Sequence, residues 1–232
     1  AELSIAHANY GHGYDHAPIK AVRVLLDVRP GTKLGLSVTD LQAWGGHASI
    51  GGLRIVQTLN DRFSIDAGIA ASDSGNITIR QRKTAIVNYK ALEAKNLVLG
   101  MGVDTYDMRG GGKATSLLTQ AVYYVPKMPV VVQADYTATE SKFNERRGHR
   151  IGAAVTYGKV HDWTVSLRAD SGRVNYELVT RPGSIADYDS RSQGVGMNYW
   201  LSKDLGISAN FGRVSNRYFK REEIRVGTFF SF

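Results

Sequence analysis

The stretch Ile224-Arg225-Val226-Gly227-Thr228-Phe229-Phe230-Ser231-Phe232 alternates between mostly apolar residues and mostly polar or small ones. A period of two residues is that of a β-strand, so the stretch predicts a strand with one apolar face. Three Phe in the last four positions suit a strand that ends at a lipid–water interface. One predicted face carries Ile224, Val226, Thr228, Phe230 and Phe232, and the other carries Arg225, Gly227, Phe229 and Ser231.

The same alternation recurs along the whole chain. Short stretches rich in turn-forming residues, such as Pro30-Gly31-Thr32 and Ser202-Lys203-Asp204, separate the alternating segments. The pattern predicts an all-β chain of about fourteen strands, with twelve or sixteen as alternatives, and an even number is typical of bacterial membrane barrels. The predicted strands are 2–10, 21–29, 33–44, 50–58, 63–73, 80–91, 97–106, 115–125, 130–140, 150–157, 163–176, 194–200, 205–215 and 219–232.

Composition narrows the class of protein. The 232 residues predict a single domain, 1–232, and contain no apolar run of the length that a membrane-spanning helix needs. Mean hydropathy is −0.23, which a membrane barrel allows because only alternate residues face lipid. The 25 Gly, 12 Tyr and only 5 Pro suit many strands joined by turns.

A soluble β-sandwich or lipocalin-like barrel is the main alternative, because it also produces alternation and hairpins. So many apolar strand faces would need a core far larger than one sandwich provides, whereas a closed barrel turns them to lipid and leaves no unpaired edge. Aromatic residues near the strand ends predict two interfacial belts. One belt comprises Tyr89, Tyr123, Tyr124, Tyr157, Trp163, Tyr199, Trp200 and Phe232, and the other comprises Tyr10, Trp44, Tyr106, Tyr136, Tyr176 and Tyr218.

The segments 205–213 (LGISANFGR) and Ile224–Phe232 resemble those of bacterial outer-membrane β-barrels. The resemblance is closest to the YaiO-type outer-membrane proteins and extends more distantly to the barrel ends of exopolysaccharide exporters. It implies a closed antiparallel transmembrane β-barrel in the bacterial outer membrane, with Ile224–Phe232 recognised by the barrel-assembly machinery. In such barrels short turns face the periplasm and longer loops face outward, so both termini are expected on the periplasmic side.

The face opposite the apolar one predicts the lining of the barrel interior. Many of its residues are Gly, which leave room for a channel, but Arg and Asp could instead pair across the lumen and close it. Arg slightly outnumber Asp there, which favours a mild preference for anions. The predicted channel-lining residues are Arg23, Asp27, Arg54, Asp66, Arg82, Asp104, Asp135, Arg150, Arg168, Asp170 and Arg225.

Two functions of different classes follow. The first is an outer-membrane channel for export or diffusion of saccharides or small anionic solutes. The second is a barrel without transport that has a structural, assembly or surface-recognition role, which would involve an envelope protein partner. The net charge of +8 is dispersed rather than clustered, so nucleic acid is not predicted as a partner. Outward-facing Lys and Arg are expected to meet the phosphates of lipopolysaccharide.

Enzymatic function is a distant third hypothesis. The segment His47-Ala48-Ser49 resembles the His-x-Ser of outer-membrane lipid A deacylases, but the downstream carboxylate Asp61 is predicted at the other end of the barrel. A protease-type pair would need Asp15 or Asp107 with His149, and the spacing does not support it. His12 and His16 with Asp15 are read as polar loop residues rather than a metal site. We therefore predict no catalytic residue, metal ion or cofactor.

The barrel hypothesis predicts a distinctive gel and spectrum. A closed barrel resists unfolding by detergent alone, so the purified protein should migrate at different positions before and after boiling. Its circular dichroism should show sheet with almost no helix, and a helical spectrum would contradict the hypothesis.

Overall fold

A computed structural model describes residues 1–10, 17–43, 46–73, 79–107, 112–142, 146–174 and 188–230. Fourteen antiparallel strands, each hydrogen-bonded to the next along the chain, form one sheet that β1 and β14 close into a barrel. No helix in these ranges is long and apolar enough to cross a membrane. The strands are β1 (Glu2–Tyr10), β2 (Ala17–Arg29), β3 (Thr32–Ala43), β4 (Gly46–Thr58), β5 (Phe63–Ser72), β6 (Gln81–Ala91), β7 (Leu97–Asp107), β8 (Lys113–Tyr124), β9 (Val130–Ser141), β10 (Arg146–Lys159), β11 (Trp163–Val174), β12 (Tyr188–Trp200), β13 (Leu205–Asn216) and β14 (Lys220–Phe230).

Alternation of side chains gives the barrel an apolar outside. Large hydrophobic residues are exposed on every strand, as Ile151 (62 %) and Leu167 (60 %) illustrate. Residues that lie directly opposite each other in register point to the same face of the sheet. In a water-soluble protein these side chains would lie in a core, whereas here they form a continuous outer belt. The predicted fold, a closed antiparallel barrel of fourteen strands, is confirmed.

Several strands extend further than the sequence pattern predicted. Residues 17–20, predicted as part of a polar loop, belong to β2 and pair with β1. Gly46 and His47 begin β4, and β12 begins at Tyr188 rather than at Gly194. At these positions the outward residues are Pro18 and otherwise polar side chains such as Lys20, His47, Asp189 and Arg191, so hydrophobic alternation stops while the backbone ladder continues.

The two ends of the chain meet at the barrel's closing seam. The backbone N–H of Phe230 donates to the carbonyl of Ala1 at 2.7 Å, and the Ala1 amino group donates to the carbonyl of Phe230. Phe229 points inward and its ring covers Gly206, where a Cβ would lie 2.0 Å from the ring. The predicted faces of residues 224–230 are therefore right, and Ser231 and Phe232 lie outside the described residues.

The aromatic belts are only partly as predicted. At the end with the short turns, Tyr89, Tyr157 and Tyr199 face outward and are 36–50 % exposed. Trp200 instead shares the inner face with Phe229, and the two ring centroids lie 5.0 Å apart. Three further residues predicted in the belts lie on the inner face of their strands and do not face the membrane: Tyr10, Tyr106 and Tyr124.

The outward set predicts where a charge destabilises the barrel. Leu167→Arg should lower the free energy of unfolding by roughly 2–4 kcal/mol, because the guanidinium would lie in the bilayer hydrocarbon. The neighbouring Ser166→Arg should cost much less, because Ser166 faces the interior and lines a cavity there. Denaturant titration of the protein in vesicles measures both, and equal costs would contradict the face assignment.

Candidate functional site on the inner wall

All eleven predicted channel-lining residues lie on strand positions that face away from the outer belt. Two cavities occupy the barrel interior, with volumes of about 680 Å³ and 670 Å³. One is lined by residues of β1 to β6, and the other by residues of β1, β2 and β9 to β14. A cavity lined by so many strands of one closed sheet lies inside it, so these positions form the inner wall.

The inner-wall charges pair along the wall rather than across the lumen. Each ion pair joins residues on the same strand, on adjacent strands or, in one case, on next-but-one strands. The hypothesis that Arg and Asp close the lumen by pairing across it is therefore wrong for the pairs that the structure describes. The pairs are Arg23–Glu2 (3.7 Å), Lys33–Asp27 (3.2 Å), Arg54–Asp66, Arg82–Asp104 (2.7 Å), Arg150–Asp170 (2.6 Å), Arg168–Asp135 (2.7 Å), Arg168–Asp170 (3.7 Å) and Arg225–Glu223 (2.9 Å).

Asp104 is the most deeply buried charge of this wall. Arg82 donates to both of its oxygens from Nε at 3.0 Å, and Nη2 donates a further bond at 2.7 Å. The hydroxyls of Thr84 (2.8 Å) and Tyr106 (2.6 Å) complete its set of donors. The Arg82 guanidinium also lies 5.4 Å from the centre of the Tyr106 ring. A buried carboxylate needs such a set of donors, because without it the cost of removing the charge from water is not offset.

A glycine allows one ion pair to pass over an intervening strand. Arg168 on β11 reaches Asp135 on β9 across β10, where Gly152 is opposite Asp135 in register. A Cβ at Gly152 would lie 2.7 Å from an oxygen of Asp135 and 2.9 Å from Arg168 Nη2. The missing side chain therefore makes room for the pair.

In four Arg–Asp pairs the cation is more exposed to the barrel interior than the anion, whereas in Lys33–Asp27 the anion is the more exposed partner (75 % against 50 %). The side chain of Arg82 is 51 % exposed against 1 % for Asp104, and that of Arg150 is 50 % exposed against 5 % for Asp170. The same order holds for Arg54 (59 %) with Asp66 (21 %) and for Arg168 (40 %) with Asp135 (19 %). A solute in the interior therefore meets guanidinium groups first, with the carboxylates recessed behind them.

Several functional residues of this wall were not predicted. Glu2, Lys33, Glu223 and Arg221 occupy inner positions by the same alternation that identified the others, so a complete count of inner positions would have found them. Alternation predicted Gly152 on the inner face, but the contacts of Gly152 and Tyr106 depend on which residues lie opposite them and could not be predicted from it.

At the end with the longer loops, an aromatic cluster lies inside the barrel. Tyr188 (3 % exposed) and Phe219 (2 %) are buried, and Tyr10 and Val214 pack against them. The Arg221 guanidinium lies 5.9 Å from the centre of the Tyr10 ring. These residues belong to β1, β12, β13, β14 and the β13–β14 connection, so the cluster narrows this mouth of the barrel on one side.

The structure brings together only part of the hypothetical deacylase site. His47 and Ser49 share the outer face of β4, and His47 Nε2 contacts Asp40 of β3, which lies directly opposite Ser49. In the described part of the chain no hydrogen bond joins the Ser49 hydroxyl to His47, and the Ser49 backbone N–H donates to Asp73. Asp61 lies in the β4–β5 turn at the opposite end, where a hydrogen bond from Lys95 lowers the pKa of its carboxyl.

The other site hypotheses gain no support either. Asp107 pairs with Lys113, and His149 lies on the outer face of β10, three strands away from β7. His12, Asp15 and His16 lie outside the described residues. Among the residues that the structure describes, no group of three His, Asp or Glu is placed to hold a metal ion.

No family model matches the sequence, and no curated protein matches it. Three solved structures that match along the entire chain, each at 10 % sequence identity, illustrate the likeness. A structure described as a bacterial polysaccharide outer-membrane secretin superposes with a TM-score of 0.64 and is 98 % covered, and the CymD monoaromatic hydrocarbon channel superposes with 0.59 and is 87 % covered. An anion-selective porin from Comamonas acidovorans gives a TM-score of 0.54, with 98 % of that chain covered. At this identity the likeness shows the fold, which is that of outer-membrane porins. The finer resemblance to YaiO-type proteins stays a prediction.

The burial of Asp104 generates a stability prediction. Arg82→Gln should lower the free energy of unfolding by about 2–3 kcal/mol, because it removes three hydrogen bonds and leaves a buried carboxylate without its charged partner. Lys33→Gln, which breaks the exposed pair with Asp27, should cost less than about 1 kcal/mol. Adding Asp104→Asn to Arg82→Gln should recover part of the loss, and denaturant titration of the variants measures all three effects.

Proposed function

We propose that the protein is an outer-membrane channel through which small anionic solutes, acidic saccharides among them, cross the membrane. The observation that carries the proposal is the exposure of guanidinium groups towards the interior while their carboxylate partners are recessed. The porin-like fold supports the location and the transport role. In this proposal the end with the shorter turns and both chain ends faces the periplasm, as connector length favours.

The exposure of the charges matters more than their sum. Among the described side chains of the inner wall, nine cations (Arg23, Lys33, Arg54, Arg82, Lys90, Arg150, Arg168, Arg221, Arg225) accompany seven anions (Glu2, Asp27, Asp66, Asp104, Asp135, Asp170, Glu223), a difference of only +2. Charges in a confined lumen with low-dielectric walls act strongly on a permeating ion. Because the Arg side chains of the four Arg–Asp pairs are more exposed to the interior than their carboxylate partners, the channel should favour anions despite the small net charge.

The wall also carries groups that suit a polyhydroxylated solute. Side chains that donate and accept hydrogen bonds alternate with the Arg residues on the wall formed by β9 to β13. Gly194 and Gly212 on the same wall carry no side chain and leave space beside them, whereas the Asn210 side chain occupies the space beside Gly196. Fourteen strands about 4.8 Å apart close a barrel roughly 25 Å across between backbones, wide enough to leave a channel. The hydrogen-bonding side chains on the wall formed by β9 to β13 are Gln133, Thr156, Ser166, Ser192 and Asn210.

Likeness to transport proteins supports the same class of solute. The proteins that share this fold include a porin described as anion-selective and an outer-membrane secretin described as one for polysaccharide. An acidic saccharide is both an anion and a saccharide, so it fits both descriptions.

One observation favours the alternative of a barrel without transport. The aromatic cluster of Tyr10, Tyr188, Val214 and Phe219 fills part of the interior at the loop end. If the mouth is closed there, the barrel would serve as a surface-recognition or structural protein with an envelope partner. Conductance separates the two functions directly.

The channel proposal predicts a measurable ion selectivity. In a planar bilayer with a salt gradient, the wild type should conduct with a reversal potential that favours anions. Replacing Arg82, Arg150 and Arg168 together by Ser should shift the reversal potential towards cations, because the recessed Asp104, Asp135 and Asp170 lose their cover. A matched control, Lys20, Lys83 and Arg147 to Ser, removes three cations from the outer face and should shift it little, because those charges lie outside the lumen.

Two outcomes overturn the proposal, and a second variant guards against misfolding. If the lumen triple variant fails to fold, Arg150→Gln with Asp170→Asn, which leaves the net charge of the wall unchanged, should still reduce the anion preference because it removes an exposed guanidinium. If the wild type conducts and both variants have the same ion selectivity as the wild type, these Arg residues do not line the conduction path. A wild type that does not conduct removes the channel function and leaves the alternative. Added acidic oligosaccharide should reduce the anion current of the wild type more than a neutral one does.

A further inference from the structure

A row of basic residues crosses the outer face at the loop end of four consecutive strands. The row comprises His149 of β10, Arg173 of β11, Arg191 of β12 and Arg213 of β13, all exposed. His149 lies directly opposite Arg173, while Arg191 and Arg213 follow at steps of two residues along the neighbouring strands. Because barrel strands are tilted, such a diagonal row lies at nearly one height in the membrane.

Acidic residues lie beside two members of this row, and Arg191 has none directly opposite it. Asp189 lies opposite Arg173, and Glu222 lies 3.8 Å from Arg213. Arg191 is flanked by Ser171 and Ser215 and makes no ion pair with any residue that the structure describes.

Elsewhere on the outer rim, cations and acids alternate more evenly. Lys113 pairs with Asp107 at 3.9 Å, and Arg147 pairs with Glu140 at 3.6 Å. Lys20 lies directly opposite Asp40. The basic row is therefore a local feature of the wall formed by β10 to β13.

An apolar groove of about 550 Å³ lies on the same wall, on the membrane side of the row. Eight of its eleven lining residues face outward, and the small pair Ala153 and Ala169, opposite each other in register, leaves the hollow between larger neighbours. Arg213 belongs to both the groove and the basic row. The outward lining residues are Ala153, Val155, Leu167, Ala169, Gln193, Val195, Phe211 and Arg213.

We propose that the basic row and this groove together bind lipopolysaccharide, with Arg191 and Arg213 on a lipid A phosphate and an acyl chain in the groove. The proposal rests on the outer-membrane location proposed above, but not on transport. Along β12, the outward residues from Tyr199 to Arg191 span roughly 20 Å of height at about 3.3 Å per residue and a tilt of about 40°. That height places the row near the headgroup level of the leaflet next to the loops, because the apolar band of such barrels is about 25 Å tall.

The test is binding of purified lipid A to the full-length protein refolded in detergent micelles, measured by native mass spectrometry. The wild type should bind bisphosphorylated lipid A more tightly than monophosphorylated lipid A, and both more tightly than phosphatidylethanolamine. Arg191→Ser with Arg213→Ser should weaken binding of bisphosphorylated lipid A about tenfold, because charge-assisted bonds to phosphate are lost. The matched control, Lys20→Ser with Lys83→Ser, removes two outer-face cations from the other wall and should change the affinity little.

A second variant tests the groove. Ala169→Trp fills the hollow and should also weaken lipid A binding, while the heat-dependent gel shift and the conductance of every variant should match the wild type. Equal affinities of the basic-row variant and its control overturn the proposal. So does tighter or equal binding of phosphatidylethanolamine by the wild type. Because the readout is binding, a wild type that does not conduct overturns the channel function without affecting this test.

Discussion

The inner wall depends on keeping carboxylates charged behind a layer of guanidinium groups. A carboxylate such as Asp104, with almost no exposed surface, persists in that position only because Arg82, Thr84 and Tyr106 satisfy its oxygens. Glycine provides the space for one such contact, since Arg168 reaches Asp135 only over the bare backbone of Gly152. The sheet thus stores its negative charge in the wall and presents positive charge to the interior.

Alternation and the repeated turns predicted the strands and their faces, and the amount of apolar strand face favoured a closed membrane barrel over a soluble sandwich. A period of two residues assigns every side chain to one of two faces, and the repeated turns divide the chain into the correct number of strands. Strand ends near the loops could not be predicted in the same way. There the outer face is polar, as at Lys20 and His47, so the hydrophobic signal ends before the backbone hydrogen bonds do.

The predicted inner residues occupy the inner face, but their partners could not be read from sequence. Pairing depends on the register between neighbouring strands, which alternation does not determine, so the contact between Arg54 and Asp66 is visible only in three dimensions. The prediction of the aromatic belts was partly wrong for a different reason. Trp200 and Tyr10 lie near strand ends, which predicts an interfacial position, but alternation along their strands places both side chains inside the barrel.

The junction where β1 meets β14 is a full ladder of main-chain hydrogen bonds. Within the described residues, β1 pairs with β14 over nine residues, Glu2 to Tyr10, which equals the pairing of β4 with β5, two strands that are neighbours along the chain. Ala1 and Phe230 add two further hydrogen bonds beyond this ladder. Separating the first strand from the last therefore breaks as many main-chain bonds as separating the two arms of a hairpin, so the junction behaves as one more hairpin that lacks its turn.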